Sequence, residues 1–413
     1  VPGMRAMKDS GIAWIGEIPE EWKICRLKDL AHICNGCDCS QVLDENGKYP
    51  VIGSGGQFAK ACKPLYCKES VLLGRKGTID KPLYINQPFW TVDTMYYTEI
   101  KEDVIAKLFY YLCTQIIFDY YQYGTAVPSM TQRDLYNVYF PFPMLEEQRR
   151  IADYLDRKCS QIDAIIARQQ EVIEKLKAYK LSVITEAVTK GLNPHAPMKD
   201  SGVEWIGEIP EQWEIRRIGS FAKVTSSKRI FEESYVDEGV PFYRSKEITD
   251  LSKGLNVQTE IFIPKDIFAQ VSKVSPAPKS GDILLTSIGT IGNTWISDGR
   301  KFYYKDGNIT QIEANDSFDS AYLEYCFSSN VVLEQYTRLA MGSTLLALTI
   351  VKIKKILVVF PPLNEQRKIV RFLRIKCGSI ENIVKHKQSL INKLAAYKKS
   401  LIYEVVTGKK EVK

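Results

Sequence analysis

MKDSGIAWIGEIPEEWKICRL, residues Met7–Leu27, returns as MKDSGVEWIGEIPEQWEIRRI, residues Met198–Ile218. The two stretches agree at 15 of 21 positions with an offset of 191 residues. A second pair follows at an offset of 218: LEEQRRI (Leu145–Ile151) matches LNEQRKI (Leu363–Ile369), and agreement continues through Cys159/Cys377, Tyr179/Tyr397, Glu186/Glu404 and Thr189/Thr407. Each copy therefore has a constant entry, a variable middle and a constant exit. The second copy carries 27 extra residues, the difference between the two offsets. Repetition on this scale makes the chain two tandem copies of one design.

The exits read as long helices. With Ile151 at heptad position a, the apolar seam of the first is Ile151, Leu155, Ile162, Ile165, Val172, Leu176, Tyr179 and Val183. The second repeats it with Ile369, Leu373, Ile380, Ile383, Leu390, Leu394, Tyr397 and Leu401. Such 4-3 spacing is that of a coiled coil, and it outruns the face of one small domain. Polar residues interrupt both seams at matching places: Lys158/Lys376, Gln169/Lys387 and Glu186/Glu404. No Pro or Gly breaks residues 146–190, so a helix of about 65 Å is allowed.

The middles read as globular domains. Short apolar runs such as Ser70–Leu73, Asp282–Thr286 and Ile356–Phe360 lie between turn residues, as strands do, while Val104–Tyr121 and Ser320–Tyr336 read as aromatic-rich helices. The expected fold class is α+β (mixed α/β), with two globular domains separated by two long antiparallel coiled-coil helices in a pseudo-two-fold tandem repeat. The expected boundaries are 1–145 for the first domain, 146–190 for the first spacer helix, 191–364 for a linker and the second domain, and 365–413 for the second spacer helix and a basic tail. Antiparallel helices follow from reach. The ten or so residues between Lys190 and the second entry span at most about 35 Å, too little to return along the helix. A domain is therefore expected at each end of the helix pair.

Composition narrows the class. The chain has 413 residues, is 45% hydrophobic and 25% charged, and so can build packed cores. No 18-residue uncharged apolar run suggests a membrane span, and the opening residues lack the order of a secretion signal. The ten cysteines are too few for a disulfide scaffold, which favours reduced thiols and a cytoplasmic location. The formal charge is +7. Residues 365–413 hold 13 Lys and Arg against 4 Asp and Glu, so the excess sits in the second helix and tail. That helix is expected to meet DNA phosphates or an acidic partner face.

Catalytic signatures are absent from the sequence. There is no GxxxxGK[ST] phosphate loop and no Asn/Asp-Pro-Pro-aromatic signature of an amino-methyltransferase. Glu21-Trp22-Lys23 has a spacing used by metal-dependent nucleases, but its repeat partner is Gln212-Trp213-Glu214. The histidines, His32, His195 and His386, are scattered. Cys34, Cys37, Cys39, Cys62 and Cys67 could supply thiolates to zinc, yet the equivalent Thr225-Ser226-Ser227 of the second copy has none, which favours plain structural thiols. Trp14, Trp22, Trp205 and Trp213 could stack on bases, but identical placement in both copies favours an anchoring role.

The duplicated WIGEIPExW entry and the P-x-L-x-EQ-R-x-I helix start (Pro143–Ile151, Pro361–Ile369) carry a resemblance. So do the phrases YPVIGSGGQF (Tyr49–Phe58), LLGRKGTI (Leu72–Ile79), FWTVDTMYY (Phe89–Tyr97), VPFYRSKEI (Val240–Ile248) and GDILLTSIGTIG (Gly281–Gly292). Together they resemble the specificity subunit of Type I restriction-modification systems over nearly the whole chain. The resemblance implies two target recognition domains, each reading half of a bipartite site in double-stranded DNA. It implies paired helices that set the spacing and dock two modification (methyltransferase) subunits, with restriction (nuclease and translocase) subunits joining the assembly. S-adenosylmethionine, ATP and magnesium would belong to those partners, with no cofactor and no catalysis in this chain.

Base reading needs forked donors and small residues that admit a DNA backbone. In the first domain Ser54, Arg75, Lys76 and Thr78 meet that need; in the second, Arg244, Lys246, Ser287, Thr290 and Asn293 do. Arg75 and Lys76 align with Ser287 and Ile288 through a shared Gly-Thr-Ile, so different half-sites are expected. The competing readings are solvated turns or phosphate contacts at these residues, a self-sufficient methyltransferase or nuclease with unrecognised motifs, or a coiled-coil scaffold with no DNA role.

Overall fold

The computed structural model describes residues 5–121, 128–288, 291–340 and 347–412. The chain divides into two compact units, Val1–Gln170 with Ser389–Lys413, and Glu171–Gln388. Both are mixed α/β.

The two units are built from the same sheets. The first has an antiparallel four-stranded sheet in the order Ala31–Asn35, Met95–Ile100, Ser70–Gly74, Leu83–Ile85. The second has Val224–Thr225, Ile309–Ile312, Ile283–Thr286 and Thr294–Ile296 in the matching order. A three-stranded sheet also recurs: Tyr49–Gly53 lies antiparallel to Gly56–Ala61 and parallel to Trp90–Thr91. Its counterpart sets Val240–Tyr243 between Phe262–Ile263 and Tyr303–Tyr304 with the same directions. Here the copies diverge in length. The two-residue turn Ser54-Gly55 of the first domain is replaced by residues 244–261 in the second, which form the helix Ser245–Ser252 and a loop.

The constant ends are stitched together in each unit. The entry strand Lys23–Arg26 pairs with Tyr139–Phe142, just before the long helix Leu145–Lys190. Glu214–Arg217 pairs in the same way with Leu357–Phe360, before the long helix Leu363–Val406. Trp22 Nε1 donates to Glu147 at 2.8 Å, and Trp213 Nε1 donates to Glu365 at 3.0 Å. These carboxylates sit in the first helical turn, where the helix dipole favours negative charge. The adjacent Gln148 amide donates to Pro143 and Asp103 carbonyls and accepts from Ile105 N–H; Gln366 donates to Pro361 and accepts from Asp319 N–H.

Each core is closed by the start of one long helix and the end of the other. In the first unit Ile151, Ala152, Leu155, Cys159 and Ile162 share a core with Leu401, Ile402, Val405 and Val406. In the second, Ile369, Val370, Leu373 and Cys377 share one with Ile184, Ala187 and Val188. The helix segments run antiparallel within each unit. Tyr154 faces Lys410 and Asp163 accepts from Lys398 at 2.6 Å in the first, and Lys180 donates to Glu381 at 2.6 Å in the second.

The helical seam departs from the count that starts at Ile151 and Ile369. Ile151, Leu155, Ile162, Ile369, Leu373, Ile380 and Leu401 are buried, and Val172, Leu176, Val183 and Leu394 are partly covered. Ile165, Ile383 and Leu390 are instead 45%, 44% and 39% exposed, and their neighbours Ile166, Val384 and Ile391 turn inward. The cause is the opening spacing. Buried residues 151, 155, 159 and 369, 373, 377 step by four twice before a step of three, so the series counted in sevens from Ile151 and Ile369 runs one position early thereafter, while the series through Leu155 and Leu373 stays on the covered face.

Both long helices end at a left-handed glycine, Gly191 (φ +78°) and Gly408 (φ +74°), a conformation in which Gly avoids a side-chain penalty. Gly408 also lies against the entry: a Cβ there would come 2.4 Å from Pro19 and 3.3 Å from the Trp22 ring. Gly408→Ala should therefore cost about 1–2 kcal/mol from backbone strain, plus a packing penalty. Gly202→Ala, at φ +73° with open space around it, should show the strain alone. Comparing thermal unfolding midpoints checks this, and equal losses would refute the packing claim.

The second unit holds a pH-sensitive group. Burial raises the Glu324 carboxyl from 4.5 to about 7, opposed by Arg374 and a Thr294 hydrogen bond. A raised folded-state pKa means that the folded state holds the proton better. Its stabilising contribution is full below about pH 4.5 and is lost as pH rises through about 7. Thermal scans across that window should show a decline in stability, and Glu324→Gln should flatten it.

Candidate nucleic-acid interface

The two domains hold one turn with matching backbone contacts and different side chains. In the first, Arg75 and Lys76 N–H groups donate to the Thr94 carbonyl at 2.9 and 3.2 Å. Met130 N–H donates to Arg75 O at 3.0 Å, and Lys76 bridges to Ser129. In the second, Ser287 N–H donates to Asn308 O at 2.8 Å, Leu348 N–H donates to Ser287 O at 2.9 Å, and Ile288 bridges to Ala347. Thr94 and Asn308 each directly precede the matching strand, Met95–Ile100 or Ile309–Ile312. Residue by residue, Arg75 corresponds to Ser287 and Lys76 to Ile288.

The serine turn joins this framework in both units. Ser54 N–H donates to Thr94 Oγ1 at 3.4 Å, and Ser245 Oγ donates to Asn308 O at 3.5 Å. Close approach makes two glycines necessary in the first domain. A Cβ on Gly74 would lie 2.5 Å from Thr78 O, and one on Gly77 (φ +84°) 3.0 Å from Ser54 Oγ. The turn is therefore folded tightly on itself, and it offers cations on a rigid base.

The predicted residues fare differently. In the first domain Lys76 is exposed and Ser54, Arg75 and Thr78 are partly exposed. Arg75 Nη1 reaches the Asp93 carbonyl at 3.3 Å, and its guanidinium lies 5.9 Å from the Tyr96 ring centroid, which aims the side chain. In the second domain Lys246 is exposed, but Arg244 is occupied by Glu247, at 3.0 Å and through a capping bond to its own N–H. Ser287 is a correction: it is 1% exposed and bonded to Thr310 Oγ1 at 2.7 Å, so it belongs to the core. At a strand end alternate residues face opposite ways, and the outward one is Ile288. Asn293 closes the turn, with its N–H on Thr286 Oγ1 and its amide on Thr249 Oγ1. Thr290 lies outside the described residues.

Sequence reasoning overlooked Phe58, 60% exposed beside Gly53, and Ile288, 40% exposed. The signal for Ile288 was its alignment with Lys76. No His, Cys, Asp and Glu side chains among the described residues group in threes so as to hold a metal ion. Cys37, Cys62 and Cys67 are exposed, Cys39 is buried, and burial raises the Cys34 thiol pKa. Lys385, Lys393 and Lys399 of the second long helix are exposed. No helix among the described residues is long and apolar enough to cross a membrane.

Comparison with known proteins agrees with this architecture. The chain is 24% identical to the Type I restriction enzyme MjaVIII specificity subunit of Methanocaldococcus jannaschii, over 96% of this chain and 94% of that one. It is 24% identical to the EcoBI specificity subunit of Escherichia coli, over 79% and 71% of the two chains. A chain solved in work on the assembly and conformational transition of the type I R-M system superposes with a TM-score of 0.70 at 16% identity, covering 95% of this chain and 99% of that one, and so shares the fold. The family described as Type I restriction modification DNA specificity domain matches twice, at residues 19–175 and 210–392, one match on each copy of the repeat, and the chain belongs to that family.

Proposed function

We propose that this chain is the non-catalytic, DNA-reading subunit of a Type I restriction-modification assembly, with residues 1–145 and 191–364 each reading one half of a bipartite site. The observation that carries the reading is the shared turn: matching bonds at Arg75 and Ser287, and matching bridges at Lys76 and Ile288, hold one pair in each domain. Two like frameworks with unlike tips are suited to two unlike half-sites. Mapping methylated positions in DNA from cells carrying the chain and its partners tests this. A split motif is expected, and Arg75→Ala with Lys76→Ala should relax or abolish one half, with each lost base contact worth about 1–3 kcal/mol. Methyl transfer or cleavage by the purified chain alone would favour an enzyme instead.

The long helices, residues 146–190 and 365–413, supply the spacing and the docking faces in this reading. Each unit exposes one isoleucine and one tyrosine at repeat-equivalent positions: Ile165 and Tyr397 in the first, Tyr179 and Ile383 in the second. Two equivalent apolar patches suit two copies of one partner, the modification subunit. Tyr179→Glu with Ile383→Glu should leave one modification subunit bound, and adding Ile165→Glu with Tyr397→Glu should leave none, as read by native mass spectrometry. Inserting one helical turn, about 5.4 Å, into both helices should lengthen the gap between half-sites and leave the half-sites unchanged. Neutralising Lys385, Lys393 and Lys399 should weaken assembly or overall affinity without altering sequence preference.

A further inference from the structure

We propose that Ile288 is a specificity-determining residue of the second domain that packs against the 5-methyl group of a thymine in the major groove, at the position Lys76 fills in the first domain. This rests on the DNA-reading role above. A lone exposed apolar side chain needs no explanation by itself; the position does the arguing. Lys76 and Ile288 each follow a residue whose N–H is clamped by the carbonyl ahead of the next strand, and each bridges the residue before a buried apolar one, Met130 or Leu348. Both are exposed.

Two described neighbours, Ser287 and Arg244, are engaged elsewhere, and the exposed cation Lys246 lies on the separate helix Ser245–Ser252. Ser287, opposite Arg75 in the repeat, is withdrawn into the core and bonded to Thr310. Arg244 is held by buried Glu247. The cation pair that the first domain offers at this turn thus has an isoleucine as its counterpart. Lys suits the O6 and N7 acceptors of guanine. A branched hydrocarbon has no donor to offer those acceptors, and the apolar feature of a major-groove base edge is the thymine methyl. One framework can therefore ask two different chemical questions by exchanging a single outward side chain.

The test uses the chain assembled with its modification subunits, after the methylated motif has been mapped. Thymines of the motif are replaced one at a time by uracil, which removes the 5-methyl group alone. Wild-type complex should lose about four-fold in affinity at one thymine, the value of one buried methyl-sized group. Ile288→Ser should be indifferent there, and Ile288→Val should keep part of the sensitivity. Thermal unfolding of each variant confirms an intact fold, which a 40%-exposed residue should permit. Equal sensitivity in Ile288→Ser, or a wild-type complex indifferent to every replacement, would overturn the proposal while leaving the DNA-reading role intact. A wild-type complex with no sequence preference would instead sink that role.

Discussion

The hydrogen bond from Trp22 to Glu147, repeated as Trp213 to Glu365, holds each unit in place. A buried indole N–H needs an acceptor, and a carboxylate in the first helical turn is a strong one that the helix dipole also favours. The same indole rings lie against the glycines that end the other long helix, Gly408 at Trp22 and Gly191 at Trp213. One aromatic residue thus touches the start of one helix and the end of the other in each unit. The entry can hardly change without disturbing both. This accounts for a segment that is repeated nearly verbatim while the middles differ in length and composition.

Variation is admitted where no such constraint acts. The second domain replaces the two-residue turn Ser54-Gly55 with 18 residues, 244–261, and the flanking strands still pair with the same directions. The turn after Ser70–Gly74 and after Ile283–Thr286 is fixed by its backbone bonds, which any side chain can satisfy. The outward residue is then free to be Lys76 or Ile288 without cost to the core. A framework stabilised by main-chain bonds is what allows the recognition chemistry to change.

The repeat, the paired helices and the mixed α/β middles were legible because each leaves a linear mark: identity at fixed offset, apolar residues at helical spacing, short apolar runs between turns. The helical face was read less well. Counting sevens from Ile151 reaches Ile165 and, from Ile369, Ile383, whereas the chain turns Ile166 and Val384 inward, partly covered. Two opening steps of four, through Cys159 and Cys377, shift one of the two interleaved series of the stripe by one residue. The residues left outside that stripe became the exposed patches on which docking is proposed.

The sequence by itself determined that the chain is two copies of one fold, that each copy starts and ends in the same way, and that the copies differ in what they present. Those are properties of order along the chain. Only the tertiary structure decided which of two adjacent side chains faces out. Ser287 and Ile288 align with Arg75 and Lys76 as one adjacent pair, but the hydroxyl bonded to Thr310 lies in the core and the hydrocarbon stands at the surface. Polarity would have predicted the reverse. The direction is set by strand alternation and by the carbonyl of Asn308, a residue 21 positions away in the chain.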